Sequence, residues 1–205
     1  VDDISPEVSG EKKAELIGLV RTLSSRCEAV ILSGGLARGM EPSYYADVLS
    51  VVPSGVKKIV DTEGERLFSA LGCGVELVKP NLHELESTLK MTVRSKEDAL
   101  AGCRQLLDRG ARYVLLSLGK AGAILTDANK NPYRKSINVA MNSTVGAGDA
   151  MVAAAVAALA RGDSMEEILR CGVAGGTAAV TTPDNITFRR EKYEEILDGL
   201  EVHEI

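Results

Sequence analysis

Apolar residues along the chain switch repeatedly between two spacings. Between Glu11 and Ser25, the residues Leu16, Ile17, Leu19, Val20 and Leu23 recur at helical spacing. Ala29-Val30-Ile31-Leu32 then forms a short continuous apolar run, the pattern of a strand buried on both faces. The alternation continues. Helices are predicted over 43–52, 63–71, 82–89, 96–109, 147–160, 165–180 and 190–200, and strands over 56–60, 75–78 and 113–116. Residues 123–126 and 133–137 read as a short antiparallel pair joined through the turn-forming stretch from Asp127 to Asn131. Strands alternating with helices predict an α/β fold, a mostly parallel sheet with helices on both faces, in one domain over 1–205.

In such sheets ligands bind beyond the carboxyl ends of the strands. The polar residues that fall there are Ser33-Gly34-Gly35, Asp61, the run from Lys79 to Glu84, and the run from Ser117 to Gly122. Asp61 reads best as an N-cap for the helix that follows.

Composition narrows the partners. The net charge is -5, and no arginine-rich arm is present, which argues against nucleic acid. Aromatic residues make up only 3% of the chain, too few for a base-stacking surface. The apolar run from Ala147 to Ala160 is too short to span a membrane. Cys27, Cys73, Cys103 and Cys171 form no C-x-x-C pair and have no histidine nearby in sequence. They read as buried free thiols of a cytoplasmic protein.

The strongest chemical signal is Gly146-Ala147-Gly148-Asp149 at the start of a long apolar helix. The glycines permit a tight turn and close approach of an anion to the backbone, while the helix offers unpaired N–H groups and the positive end of its dipole. Asp149 in the first turn could take a proton from an attacking hydroxyl. Alone, these residues read equally well as an ordinary helix start, capped by Ser143 or Thr144.

The run from Asn142 to Ala153, with Ser143-Thr144-Val145-Gly146-Ala147-Gly148-Asp149 at its centre, closely resembles the signature of the ribokinase-like sugar kinases. The phosphofructokinase-B branch is nearest, with the 1-phosphofructokinases foremost. Ala150 departs from the serine common at that position. Lys79-Pro80-Asn81-Leu82-His83-Glu84 resembles a second family element, in which the asparagine and glutamate serve magnesium and phosphate placement and the lysine reaches ATP. The same Asn-x-x-Glu spacing also suits a capping box. Ser117-Leu118-Gly119-Lys120-Ala121-Gly122 resembles the family's nucleotide-binding turn, and by itself is also a plain glycine-containing turn. It is not a Walker A loop, because Val114 and Ala121 break that pattern. Ser33-Gly34-Gly35-Leu36-Ala37-Arg38-Gly39 resembles the loop beside the sugar phosphate, without its two prolines and one of its serines. Arg38 there could grip a phosphate, though a solvated surface charge is the better reading.

The resemblance implies a ribokinase-like three-layer fold and an ATP- and Mg2+-dependent kinase of a sugar phosphate. Fructose 1-phosphate would become fructose 1,6-bisphosphate. Asp149 would be the general base, and Gly146, Ala147 and Gly148 the anion hole. Lys79, Asn81, Ser117, Gly119, Lys120 and Gly122 would serve the nucleotide. Ser33, Gly34 and Arg38 would join Asp149 on the acceptor side, and Glu84 with Asn81 would serve the metal. Tagatose 6-phosphate or fructose 6-phosphate as acceptor, or a nucleotide-binding fragment without catalysis, are the alternatives. A dinucleotide dehydrogenase is disfavoured, because no G-x-G-x-x-G follows the first strand. Family members extend further at the N-terminus, so the chain is expected to lack their first strands and small β lid. Apolar edges would then be exposed, and pairing as a homodimer is one way of covering them.

Overall fold

The computed structural model describes residues 6–127, 129, 132–135, 146–181 and 189–204. Two compact units emerge: Val1–Val78 with His83–Arg112, and Lys79–Leu82 with Tyr113–Ile205.

The first unit begins with α1 (Gly10–Ser24), where the Ser9 hydroxyl accepts from the Lys12 amide. Next come β1 (Ala29–Ser33), α2 (Tyr44–Ser50), β2 (Lys57–Asp61), α3 (Gly64–Leu71) and β3 (Leu77–Val78). Most of α4 (Leu82–Leu89) and all of α5 (Lys96–Asp108) complete it. β1 pairs in parallel with β2, and β2 with β3, as the alternation of strands with helices predicted. The register sets Ser33 opposite Asp61 at the carboxyl ends of β1 and β2. The core lies among Leu49, Ile59, Leu67, Leu77, Leu85 and Leu106. Helix α1 keeps its predicted spacing, yet its apolar stripe is open: Leu19 is 54% exposed, and on β1 Ile31 is 42% exposed.

The second unit contains β4 (Tyr113–Ser117), β5 (Ala123–Asp127), β6 (Pro132–Lys135) and β7 (His203–Glu204). Its helices are α6 (Ala147–Arg161), α7 (Met165–Thr181) and α8 (Arg190–Asp198). The predicted β5–β6 pair is antiparallel, and β4 and β7 flank it, also antiparallel. A 3-10 turn over Gly119–Ala121 links β4 to β5. Helix α7 packs along α6, with Gly172, Gly175 and Gly176 facing Ala147, Ala150, Met151, Ala154 and Ala155.

Two expectations are corrected. Cys103 and Cys171 are buried, but Cys27 is exposed and Cys73 half-buried. Cys27 follows the last turn of α1, which the core does not cover, whereas burial pushes the Cys103 thiol up to about 12. Asp61 does not cap α3. The N-cap is Glu63, without a side-chain capping bond, and the Gly64 amide instead donates to the Thr88 hydroxyl at 2.8 Å.

Candidate active site

In the second unit the site starts from the Lys79–Leu82 stretch, which lies beside the end of β4. Asn81 forms a parallel bridge with Ser117, and the Ser117 amide donates to the Pro80 carbonyl at 3.0 Å. These contacts hold the Lys79–Asn81 stretch against the end of β4. The chain then turns tightly, with the Leu118 amide donating to the Gly122 carbonyl at 2.8 Å. Gly119 and Gly122 have φ of 57° and 85°, conformations that side-chain-bearing residues rarely adopt. Lys120 stands exposed on this turn. The turn is thus the expected glycine turn, at the end of the strand where a ligand could meet backbone.

The start of α6 supplies the other half. Gly146 is the N-cap in the left-handed region, φ 80°, with no side-chain capping bond. Ser143, Thr144 and Val145, named above as caps and motif residues, lie outside the described residues. The Gly146 carbonyl accepts from the Ala150 amide at 2.9 Å, closing the first turn. Asp149 sits in that turn and is exposed. Lys79 is only 5% exposed, yet a Cβ placed on Gly148 would lie 3.4 Å from its Nζ. A lysine ammonium and the positive end of a helix therefore meet at one point, with a carboxylate beside them. Two like-signed sources of potential converging on one place suit a multiply charged anion.

What holds α6 there was not singled out from the sequence. A Cβ on Gly175 would lie 2.7 Å from the Ala150 carbonyl oxygen and 2.7 Å from the Ala154 Cβ. One on Gly176 would lie 3.2 Å from the Ala147 carbonyl oxygen. The signal was present as Gly172-x-x-Gly175-Gly176 within a helical run, where glycine costs helix stability and so implies close packing.

In the first unit, Ser33 and Gly34 are exposed at the end of β1. The Gly34 carbonyl accepts from the Tyr45 hydroxyl and from the Thr62 hydroxyl, both at 2.8 Å. Burial is the main cause that raises the Tyr45 phenol above its ordinary value. Arg38 is exposed, and its backbone bridges to Glu7. Glu84 lies half-buried in the first turn of α4, which begins one residue after Asn81. Among the described residues, no group of three or more His, Cys, Asp or Glu could hold a metal ion, and no helix is long and apolar enough to cross a membrane.

Comparison with known proteins bears on this arrangement. Residues 7–191 match the pfkB family of carbohydrate kinases. The chain is 32% identical over 195 residues to the ATP-dependent 6-phosphofructokinase isozyme 2 of Mycobacterium tuberculosis, covering 94% of this chain and 57% of that protein. It is 28% identical over 175 residues to the 1-phosphofructokinase of Borreliella burgdorferi, covering 85% of this chain and 57% of the relative. Among solved structures, phosphofructokinase-2 from Escherichia coli in complex with potassium superposes with a TM-score of 0.86 at 30% identity, over 94% of this chain and 63% of that one. The chain thus spans less than two thirds of the length of these relatives. The match takes in the Lys79–Glu84 run, the Ser117–Gly122 turn and the Gly146–Asp149 helix start together, and with it the fold is ribokinase-like α/β and the chain is a member of the pfkB family of carbohydrate kinases.

Proposed function

We propose that the chain carries the nucleotide-handling and proton-abstracting part of an ATP-dependent kinase whose acceptor is a phosphorylated ketohexose. The observation that carries the reading is the meeting of the buried Lys79 with Gly148 at the N-terminus of α6, one residue before Asp149. In the favoured reaction, Asp149 takes the proton from the C6 hydroxyl of fructose 1-phosphate. The C6 oxygen attacks the γ-phosphorus of ATP in line, the bond from that phosphorus to the β–γ bridging oxygen breaks, and ADP leaves. In this reading the amides at Gly146, Ala147 and Gly148 and the Lys79 ammonium would stabilise the charge that develops on the phosphoryl oxygens. The backbone of the Gly119–Gly122 turn, with Asn81, Ser117 and Lys120 about it, suits the polyphosphate. When bound, Mg2+ supplies charge neutralisation on the phosphates. It is commonly held by one or two carboxylates and by waters, a role that fits Glu84, with Asn81 orienting a water.

A second reading takes fructose 6-phosphate or tagatose 6-phosphate as acceptor. Its support is 37% identity over 153 residues to a 6-phosphofructokinase, against 32% over 155 residues to a 1-phosphofructokinase of the same organism. A homodimer and a cytoplasmic setting complete the proposal.

The test uses the full chain that carries these residues. Asp149→Asn is expected to lower kcat at least ~100-fold with nucleotide binding retained. ATP consumption with fructose 1-phosphate, fructose 6-phosphate and tagatose 6-phosphate identifies the acceptor. Near-normal turnover in the Asn variant would remove Asp149 from the mechanism, and nucleotide binding without turnover on any acceptor would leave only a binding module.

A further inference from the structure

Gly146 and Gly148 stand at the start of α6 for different physical reasons. Gly146 is the N-cap at φ 80°, where a side chain would strain the backbone, and a Cβ there would meet nothing within 4 Å. Gly148 is the second residue of α6, and its φ lies outside the left-handed region. Alanine adopts that backbone without strain, and glycine costs stability there by leaving the unfolded chain freer. Among the described residues, packing gives no rigid obstacle to a side chain either. A Cβ on Gly148 would meet only the far end of Lys79, with Nζ at 3.4 Å and Cε at 3.7 Å. On Gly175 of α7, by contrast, it would lie 2.7 Å from the Ala150 carbonyl oxygen, which cannot swing away.

Lys79 and Gly148 both belong to the second unit, and the lysine is buried. The Asn81–Ser117 bridge and the bond from the Ser117 amide to the Pro80 carbonyl fix the backbone next to it. Side chains on a helix lean toward its N-terminus, the direction in which the unpaired amides of the first turn also point. A methyl on Gly148 would therefore project into the space before the helix start and touch the ammonium there. An ammonium donates to an anionic oxygen at about 2.8 Å. An oxygen shared by Lys79 and the first amides of α6 needs the space that the methyl would fill. The methyl would exclude that oxygen or drive the ammonium aside.

We infer that Gly148 is a positioning residue that acts through Lys79: its missing side chain keeps the ammonium beside the start of α6, so that both can hold one phosphoryl oxygen. The inference rests on the proposed function and adds to it the reason for a glycine where the helix does not need one.

The test is a double-mutant cycle in the full chain that carries these residues. Wild type, Gly148→Ala, Lys79→Ala and the double variant are compared by ATP titration, by turnover with each of the three ketohexose phosphates and by melting curves. Gly148→Ala is expected to melt at or above the wild-type temperature. Its ATP affinity should nevertheless fall roughly tenfold, the scale of one charge-assisted contact. Its kcat should fall at least as far, with KM for the acceptor within twofold of wild type. The double variant should bind ATP no more weakly than Lys79→Ala, because the methyl then has no ammonium to displace. Wild-type ATP affinity in Gly148→Ala would overturn the inference. Losses that multiply in the double variant would overturn it too, assigning the effect to the backbone of α6 itself. A melting temperature lowered by more than a few degrees would show the glycine serving the fold instead. ATP binding that follows the expected pattern without phosphoryl transfer to any acceptor would uphold the positioning role while refuting the proposed reaction. A wild type that binds no ATP would overturn both.

Discussion

In the first unit, side chains hold the turn at the end of β1; in the second, backbone and glycine form the corresponding surface. The Gly34 carbonyl is gripped by two hydroxyls, one of which also steadies the Arg66 guanidinium. Removing either hydroxyl leaves the other. Among the described residues, the start of α6 has no such redundancy. Its position rests on α7 lying close enough for Gly175 to face the Ala150 carbonyl with no room for a Cβ. The units differ at their margins too. Beside α1 and β1 the first unit carries an open groove of about 350 Å³, lined by Leu16, Val20, Ile31 and Met40 among others. The contrast teaches that polar groups held by side chains should fail by degrees, while a helix start held by backbone contact should fail at once.

Gly175→Val is the hardest blow to that comparison. A Cβ 2.7 Å from a carbonyl oxygen must push the helices apart, and the branched side chain adds volume to a seam of alanines. The expected cost is about 3 kcal/mol, the upper range for overpacking. In a chain of this size that lowers the melting temperature by roughly 9 °C. Turnover should fall further than stability, because the displaced turn carries Asp149. A variant melting within a degree or two of wild type would show the seam to be compliant. Tyr45→Phe probes the other side. It deletes one of two donors to the Gly34 carbonyl, and Thr62 keeps its bond. The expected loss is about 1 kcal/mol by urea denaturation, with fructose 1-phosphate affinity unchanged. A loss as large as that of Gly175→Val would erase the distinction between the units.

Much of this was legible in the sequence, for reasons that can be named. Strands β1 and β4 are continuous apolar runs, and α6 and α7 are long helical patterns, so period and length identified them. The glycine turns were readable because few other residues adopt those conformations. Other features were hidden because they depend on tertiary contact. Nothing near Arg66 marks it as the partner of a turn about thirty residues upstream, since the Thr62 hydroxyl that accepts from it reaches the Gly34 carbonyl only once β1 and β2 are in register. The two-residue β7 is too short to show a period. Asp61 looked like a cap because it precedes a helix, but the strand runs on to include it and Thr88 takes the amide it would have capped. The stripe on α1 was readable as a helix, yet spacing alone does not say whether anything covers it.

The smallest expected effect lies far from either site and tests whether the first unit's graded behaviour extends to its helix ends. Helix α5 opens with a capping box. The Ser95 hydroxyl accepts from the Asp98 amide at 3.1 Å, and Asp98 Oδ2 accepts from the Ser95 and Arg94 amides, each at 3.0 Å. Ser95→Ala should cost about 1 kcal/mol, since Asp98 still satisfies two amides. Donation from the Arg94 amide, then the bond with the Ser95 side chain, holds the Asp98 carboxyl below its ordinary value. A depressed folded value means its contribution is complete above the unfolded value and disappears as pH falls through the folded one. Urea midpoints of wild type and Asp98→Asn should therefore differ at about pH 7 and converge towards about pH 3. A gap that stays constant across that window would show that the amide geometry of the cap, and not the charge of Asp98, stabilises the start of α5.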